Sequence, residues 1–298
     1  MSIRQALNDR IHVLRQARPA ASLIQVAWLY AMPFFRLSDV KNMLFLISSA
    51  VRWIALVFFW GLLGSSVMAQ PSALGANYMQ FGAFKFNPYA QLDYQINGQT
   101  RGLNYNAQAQ ITWKATGQNY NAKFDIKMPL FFGTRTQVSE GLLSDQGLKP
   151  VTFSDRHRKS QTVSIDQTAG QIRLADGNTS LPLEKLHQDA LSVFFQLGGL
   201  LAGLNEPYPF SSTLRLPVLM AQTNEHWTFK LESLDNLKLP MGEVPALKVL
   251  RLPRSPTDKQ KLTLWLSPNL GFLPVRILIE EENQDLVDQR LLAFKSSP

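Results

Sequence analysis

The chain has 298 residues, 45% of them hydrophobic, with no cysteine and a formal net charge of +8. Without cysteine there are no disulfides, no thiol catalysis, no thiolate metal site and no lipidated cysteine, so a packed core has to hold the fold. The charge is uneven: residues 1 to 69 carry seven Lys and Arg against two Asp, or +5, which leaves +3 on the other 229 residues and makes nucleic acid an unexpected partner.

Residues 1 to 42 form a basic extension. Ile3, Leu7, Ile11 and Leu14 fall on one helical face, while Arg4, Arg10, Arg15 and Arg18 supply the charge of an interfacial helix on anionic lipid. Residues 43 to 69 are read as a hydrophobic helix that acts as a signal peptide or a membrane anchor. Its core, Trp53 to Ala69, matches a Sec export signal. Trp53 to Gly64 is the apolar region, Ser65 and Ser66 loosen the chain, and Val67 and Ala69 fit the cleavage rule, with Ala69 the last residue removed.

A signal this far from Met1 leaves three readings. The start is misassigned, with Met32 opening an n-region that carries Arg36 and Lys41; or residues 1 to 42 are a cytoplasmic extension; or Met43 to Ala69 stays uncleaved, since a span needs about 20 mostly apolar residues. Arg52 splits that run, yet its charge suits the cytoplasmic flank of either a signal or an anchor. In each reading the remainder works outside the cytoplasm, soluble in the periplasm or anchored at the inner membrane.

After a linker at 70 to 83, residues 84 to 298 read as a single β-rich domain. In Tyr105 to Lys114 the odd positions Tyr105, Ala107, Ala109, Ile111 and Trp113 are apolar and the even ones polar; Tyr120, Ala122, Phe124, Ile126 and Met128 repeat the pattern. This alternation predicts two antiparallel strands joined at Gly117-Gln118-Asn119. Less regular runs follow at 136–143, 151–158, 162–166, 171–175, 213–221, 227–234, 244–252, 261–266, 273–281 and 287–294, and one precedes at 84–96. The expectation is ten to thirteen short strands in a meander.

Asp189 to Leu204 breaks the pattern and predicts a helix, with Asp189 as N-cap and a stop near Gly203 or Asn205. The segment is apolar almost all round, which places it in a core. Asp189, Ser192, Gln196, Gly199 and Gly203 form one stripe, read first as a solvent-facing or close-packing seam and second as a polar contact line for a ligand. The Gly199-x-x-x-Gly203 spacing carries little weight outside a membrane. A one-sided sheet with a single helix to cover it predicts a strongly curved antiparallel half-barrel wrapped around that helix. Small inward residues, Ala107, Ala109 and Ala122, leave room either for the helix or for an elongated apolar guest. Contacts for such a guest are expected from Ser192, Phe194, Phe195, Gln196, Tyr105 and Trp113.

No chemistry-bearing constellation stands out. His12, His157, His187 and His226 make no metal-ligand spacing with a neighbour, so no metal is expected. His187 reads as a turn residue and His226 as the end of a strand. No nucleophile elbow, phosphate loop or dinucleotide fingerprint occurs, and no cofactor is expected. Ser144-Asp145 and Ser154-Asp155 place neighbours on opposite faces of a strand, unlike a nucleophile and its base. Glu280-Glu281-Glu282 reads as a solvated turn. Arg156 and Arg158 share a face if both lie on a strand, where they would contact an anionic headgroup or keep an edge soluble.

Gln188 to Phe194 (QDALSVF), Phe153-Ser154-Asp155-Arg156, the run LWLSPNLGFLPVRI and Val287-Asp288-Gln289-Arg290-Leu291 together resemble the bacterial exported proteins of domain-of-unknown-function family 3108. The resemblance covers most of residues 84 to 294. It implies an export signal, a β-rich mature domain and no assigned activity. Two positions depart from the family pattern: Ala190 replaces a charged residue after Gln-Asp, and Asn283-Gln284-Asp285 replaces Asn-Gly-Asp, which disfavours a tight type I′ turn. At fold level the expected architecture is also similar to periplasmic lipoprotein carriers, an analogy that carries no function by itself.

The sequence thus predicts a non-enzymatic, exported envelope protein binding a lipid, acyl chain or other apolar partner on the concave side of a half-barrel. Its competitor is an interaction or structural module tethered to the inner membrane. A hydrolase with a dispersed site stands third.

Overall fold

The computed structural model of the chain describes residues 79–127 and 133–298. The signal or anchor segment, Ala69 and the basic extension lie outside the described residues. Among the described residues there are fifteen strands and one α-helix. They are β1 Tyr89–Thr100, β2 Leu103–Thr116, β3 Asn119–Lys127, β4 Thr134–Ser144, β5 Gly147–Arg156, β6 Ser160–Asp166, β7 Gln171–Arg173, β8 Ser180–Pro182 and β9 Gln188–Asp189. Helix α1, Ser192–Leu201, follows, and then β10 Thr213–Leu219, β11 Asn224–Leu239, β12 Gly242–Arg251, β13 Lys261–Ser267, β14 Leu273–Glu280 and β15 Leu286–Lys295.

All fifteen strands belong to one sheet, in the order β8-β7-β6-β5-β4-β3-β2-β1-β15-β14-β13-β12-β11-β10-β9. Every pairing is antiparallel except β9 with β10, which is parallel. The sheet is therefore two meanders that share β1 and β15 at their centre. Thirteen of the strands coincide with the expected runs. The two additional ones, β8 and β9, have three and two residues, too short to show a period.

This order by itself demands strong curvature. The outermost strands β8 and β9 are consecutive in the chain, joined by residues 183 to 187, and such a connection reaches at most about 20 Å. A flat sheet of fifteen strands would hold its edges roughly 65 Å apart. The sheet curls until its edges face each other: Ala175 N–H donates to Ala221 O at 3.2 Å, and Val163, Ile165, Ile172 and Leu174 from one meander form a cluster with Leu219 from the other.

Bulges sharpen the curl and explain two exposed apolar side chains. The register slips by one residue at Val151, opposite Glu140/Gly141, and at Leu292, opposite Asp93/Tyr94. Both bulged residues face water, at 36% and 45% exposure, because the extra residue breaks the alternation that buries its neighbours. The β2–β3 connection is a two-residue turn, Gly117-Gln118, with Gly117 at φ +58. The β1–β2 turn places both Arg101 (φ +51) and Gly102 (φ +78) in the left-handed region, as a type I′ hairpin requires.

Helix α1 lies on the concave face against β5, β9 and β14. Nine of its ten residues are buried, as its apolar circumference requires. The expected Asp189–Leu204 helix is thus shorter, beginning at Ser192 and ending at the Ala202 cap. Residues 82 to 85, which straddle the expected linker boundary at 83, lie against this helix and the turn that follows it: Gly82 N–H donates to Gly203 O at 3.2 Å and Lys85 N–H to Gly199 O at 3.1 Å. A side chain at Gly199 would strike the Phe84 ring at 2.1 Å, and one at Gly203 would strike Ala83 O at 2.7 Å. The Gly-x-x-x-Gly spacing is therefore a seat for residues 79–88.

Candidate functional site

The polar stripe of α1 points inward. Asp189, Ser192 and Gln196 are all fully buried, so the solvent-facing form of the seam is excluded and close packing holds. Asp189 Oδ1 accepts from the backbone N–H groups of Leu191 (2.9 Å) and Ser192 (2.8 Å), and its own N–H donates to Ser192 Oγ (2.9 Å). Asp189 therefore closes the turn that leads into α1, three residues before Ser192, and is not the expected N-cap: that position is Leu191, because the helix starts later than the apolar spacing suggests.

The other carboxylate oxygen of Asp189 reaches across the sheet. Ser139 Oγ, on β4, donates to Oδ2 at 2.5 Å, and the Tyr120 hydroxyl, on β3, lies 3.0 Å from Ser139 Oγ. With the single Ser139 proton given to the carboxylate, Tyr120 is the donor in the second contact. Burial raises the Asp189 pKa to about 6, against the hydrogen bonds that lower it. Burial first, and the Asp189 charge next, push the Tyr120 phenol well above its ordinary range. Tyr120, Ser139, Asp189 and Ser192 are almost wholly closed to solvent. The arrangement joins β3 and β4 to β9 and α1.

Gln188 and Gln196 make the second part of this seam. Gln196 Oε1 accepts from Leu148 N–H at 2.7 Å and its Nε2 donates to Gln146 O at 3.3 Å, while Gln188 Nε2 donates to Leu148 O at 3.0 Å. Gly147 is essential to the contact, because a Cβ there would lie 2.2 Å from Gln196 Oε1. Two amide side chains thus substitute for a backbone ladder between β5 and the β9–α1 segment.

The residues expected to contact a guest divide between two ends of the concave face. Trp113 stacks on Phe195 (centroids 4.5 Å apart) and on Tyr120 (5.2 Å), and its Nε1 donates to Asn87 O at 2.6 Å. At the helix end Trp113 and Phe195 are therefore occupied with each other, and Ser192 and Gln196 with Asp189, Leu148 and Gln146. Phe194 is half-buried beside them, packed against the core. Tyr105 sits eight residues away along β2, about 26 Å at strand spacing, with its ring over Gly98, where a Cβ would be 2.1 Å from the ring.

Exposure along the inner face rises from the helix end to the Tyr105 end. On β2 it runs from 1% at Trp113 and Ile111 to 5% at Ala109 and 8% at Ala107, with Tyr105 half-exposed. Neighbouring β3 repeats the trend from Ala122 (0%) to Phe124 (9%) and half-exposed Ile126. Gln289, Ile96 and Ala107 stand side by side across β15, β1 and β2. Among the described residues no donor reaches the buried Oε1 of Gln289. Sequence patterning marked Ala107 and Ala109 but gave no reason to single out Gln289.

The remaining motifs lie at strand ends and in turns. Arg156 ends β5 and Arg158 lies in the following turn, both exposed, so the two do not share a strand face. Their neighbour Asp155 is held by Arg135, which donates from Nε at 2.9 Å and also from its terminal nitrogen, and by Gln137 Nε2 at 3.1 Å. Ser144 Oγ donates to Gly147 O at 2.8 Å. His187 Nδ1 accepts from Glu184 N–H at 3.2 Å, which makes Nε2 the donor to Asn224 Oδ1 at 2.9 Å, and burial lowers its pKa. His226 Nε2 lies 2.9 Å from Glu184 Oε2. Glu280–Glu282 leads into the β14–β15 turn, where Glu281 accepts from Gln260 Nε2 at 2.7 Å. The family departure at Gln284 produces a turn in which Gln284 N–H donates to Glu281 O (3.2 Å), Glu281 N–H donates to Asp285 O (2.9 Å) and Gln284 adopts φ +67. This is a three-residue loop with a left-handed third position.

Two solved structures are similar to this chain at low sequence identity. The "beta-barrel-like protein" of domain of unknown function DUF1849 from Brucella abortus is 9% identical, with 72% of this chain and 99% of that one covered at a TM-score of 0.48. A DUF1329 family protein from Desulfovibrio piger is 7% identical, with 70% and 85% covered at a TM-score of 0.30. No functionally curated protein matches. The family model described as protein of unknown function (DUF3108) matches residues 92–288, two thirds of the chain, and the chain belongs to that family.

Proposed function

We propose that the chain is an exported envelope protein that binds a lipid, acyl chain or other apolar molecule, without catalysing a reaction, in the part of its concave face that α1 leaves uncovered. The graded exposure of the inner face supports this reading. An apolar wall built of Ala107, Ala109, Phe124 and Ile126, with the unsatisfied amide oxygen of Gln289 close by, has the character of a ligand pocket: mostly apolar, with few polar groups to orient the guest. Tyr105 stands at its rim. Ser192 and Gln196 hold the sheet closed around it, and Trp113 and Phe195 form its floor.

Export rests on the run Trp53 to Ala69. Among the described residues no helix is long and apolar enough to cross a membrane. The full chain, isolated from the cell envelope, is expected to carry lipid that native mass spectrometry and organic extraction detect, and Ala109→Trp is expected to remove it. Ligand-free wild-type protein in repeated preparations would overturn the reading. The exposed Arg156 and Arg158 support a second reading, recruitment of an acidic envelope protein. Crosslinking from these two positions in cells tests it.

A further inference from the structure

Residues 79 to 88 pass α1 at its glycines and carry three phenylalanines, of which Phe81 and Phe84 pack against the core and Phe86 stands on the protein surface. Phe84 rests on Gly199, and Phe86, paired with it at 6.1 Å, is 44% exposed. A second aromatic chain reaches the surface beside the same helix. Phe272 O lies over Gly198, Tyr208 meets Phe272 edge-on at 6.4 Å, and Phe210, 6.4 Å from Tyr208, is 45% exposed. Phe86 thus reaches Gly199 through Phe84, and Phe210 reaches Gly198 through Tyr208 and Phe272; Asn87, next to Phe86, donates to Leu270 O at 3.2 Å, two residues from Phe272. Lys85, next to Phe86 in the chain, and Lys114 on β2, opposite Tyr89, are both exposed.

We propose that this aromatic face, formed by Phe86, Phe210 and their half-buried neighbours Phe84 and Tyr208, docks on the surface of the membrane from which the chain emerges. The occupant is set by chain length. Only residues 70 to 78 separate Met79 from the apolar run that ends at Ala69, and nine residues extend at most about 30 Å. An uncleaved run would therefore hold the Met79 end of the fold within reach of the lipid headgroups. Aromatic side chains partition to that interface, with cations beside them meeting anionic lipid. The proposal rests on retention of that run and is separate from whether the interior holds a guest.

The absence of native cysteine makes the test clean. Full-chain Phe86→Cys, Phe210→Cys and, at the β14–β15 turn, Asn283→Cys are each labelled with an environment-sensitive fluorophore. They are then reconstituted in phosphatidylethanolamine–phosphatidylglycerol vesicles containing a doxyl-lipid quencher. Labels at 86 and 210 are expected to emit to the blue of the label at 283 and to lose most of their fluorescence to the quencher, while 283 keeps its own. Equal, water-like emission at all three positions would overturn the proposal. Blue emission at 86 and 210 that the quencher leaves untouched would also overturn it, because the face would then be covered by protein: a second copy or the chain's own N-terminal residues. Lipid extraction reports on the interior independently.

Discussion

Ser139 donates a 2.5 Å hydrogen bond to Asp189, fifty residues away in sequence, and neither side chain is reached by solvent. The carboxylate is desolvated, so its pKa rises from 3.8 to about 6. A group whose pKa is higher folded than unfolded stabilises the fold fully below the unfolded value and loses that contribution as pH rises through the folded one. The window is therefore pH 4 to 6, and the loss across it is about 3 kcal/mol. Asp189→Asn keeps an oxygen for the two backbone donors and offers Nδ2 to Ser139. It is expected to flatten this part of a Tm-against-pH curve, and an unchanged slope would show that another group titrates.

Arg251 and Asp258 give the opposite sign. Their side chains are 1% and 5% exposed and paired at 2.9 Å, and Arg254 adds contacts from its backbone N–H, Nε and Nη2. Burial pushes the Asp258 carboxyl up, but the hydrogen bonds from Arg254 and Arg251 outweigh it and hold the group well below the usual carboxylate range. The stability it supplies is present above about pH 4 and lost as pH falls further. Asp258→Ala leaves Arg251 as a buried, unpaired charge and is expected to cost about 3 to 5 kcal/mol at pH 7 in urea unfolding. A loss under 1 kcal/mol would mean that Gln260, which also accepts from Arg251, suffices alone.

These two networks mark the limit of sequence reading. Strands such as β2 and β3 were legible because one buried face writes a period of two into the sequence. Strand β9 was not, since its two residues pair with Val218 and Leu219 through a long-range parallel contact. The polar stripe of α1 was legible as a stripe, but its direction depended on Ser139, Gln146 and Leu148, whose nearness no local pattern records. Tyr105 and Trp113 share a face, as alternation says. Alternation does not say that the helix covers one of them and leaves the other at the rim.

Gln284 holds φ +67 in the β14–β15 turn, a conformation that costs a non-glycine residue roughly 1–2 kcal/mol. Gln284→Gly removes that strain at an entropic cost of roughly 0.5–1 kcal/mol. A net gain of about 0.5 to 1 kcal/mol is expected, seen as a Tm roughly 2 °C higher. Gly102→Ala, at φ +78 in the β1–β2 turn, is expected to move Tm the other way. A neutral or destabilising Gln284→Gly would mean that the side chain contributes more than its backbone costs.

Gly203 permits residues 79–88 to lie on α1 at backbone distance, with Ala83 O only 2.7 Å from where a Cβ would stand and Gly82 N–H bonded to Gly203 O. Gly203→Ala must push that segment away, because the obstacle is backbone and not the end of a flexible side chain. The expected cost is about 1 to 3 kcal/mol. A global measurement would not locate the effect, so two local ones are needed. Amide exchange at Gly82 and Lys85 should accelerate, since both donate to the helix, and trypsin should cleave after exposed Lys85 sooner than in the wild type. Exchange at Leu148, whose N–H is held by Gln196, seven residues before Gly203, should stay slow. If Leu148 loosens together with Gly82, the glycine seat and the Gln196 seam are one cooperative unit, and the helix rather than the crossing segment has moved.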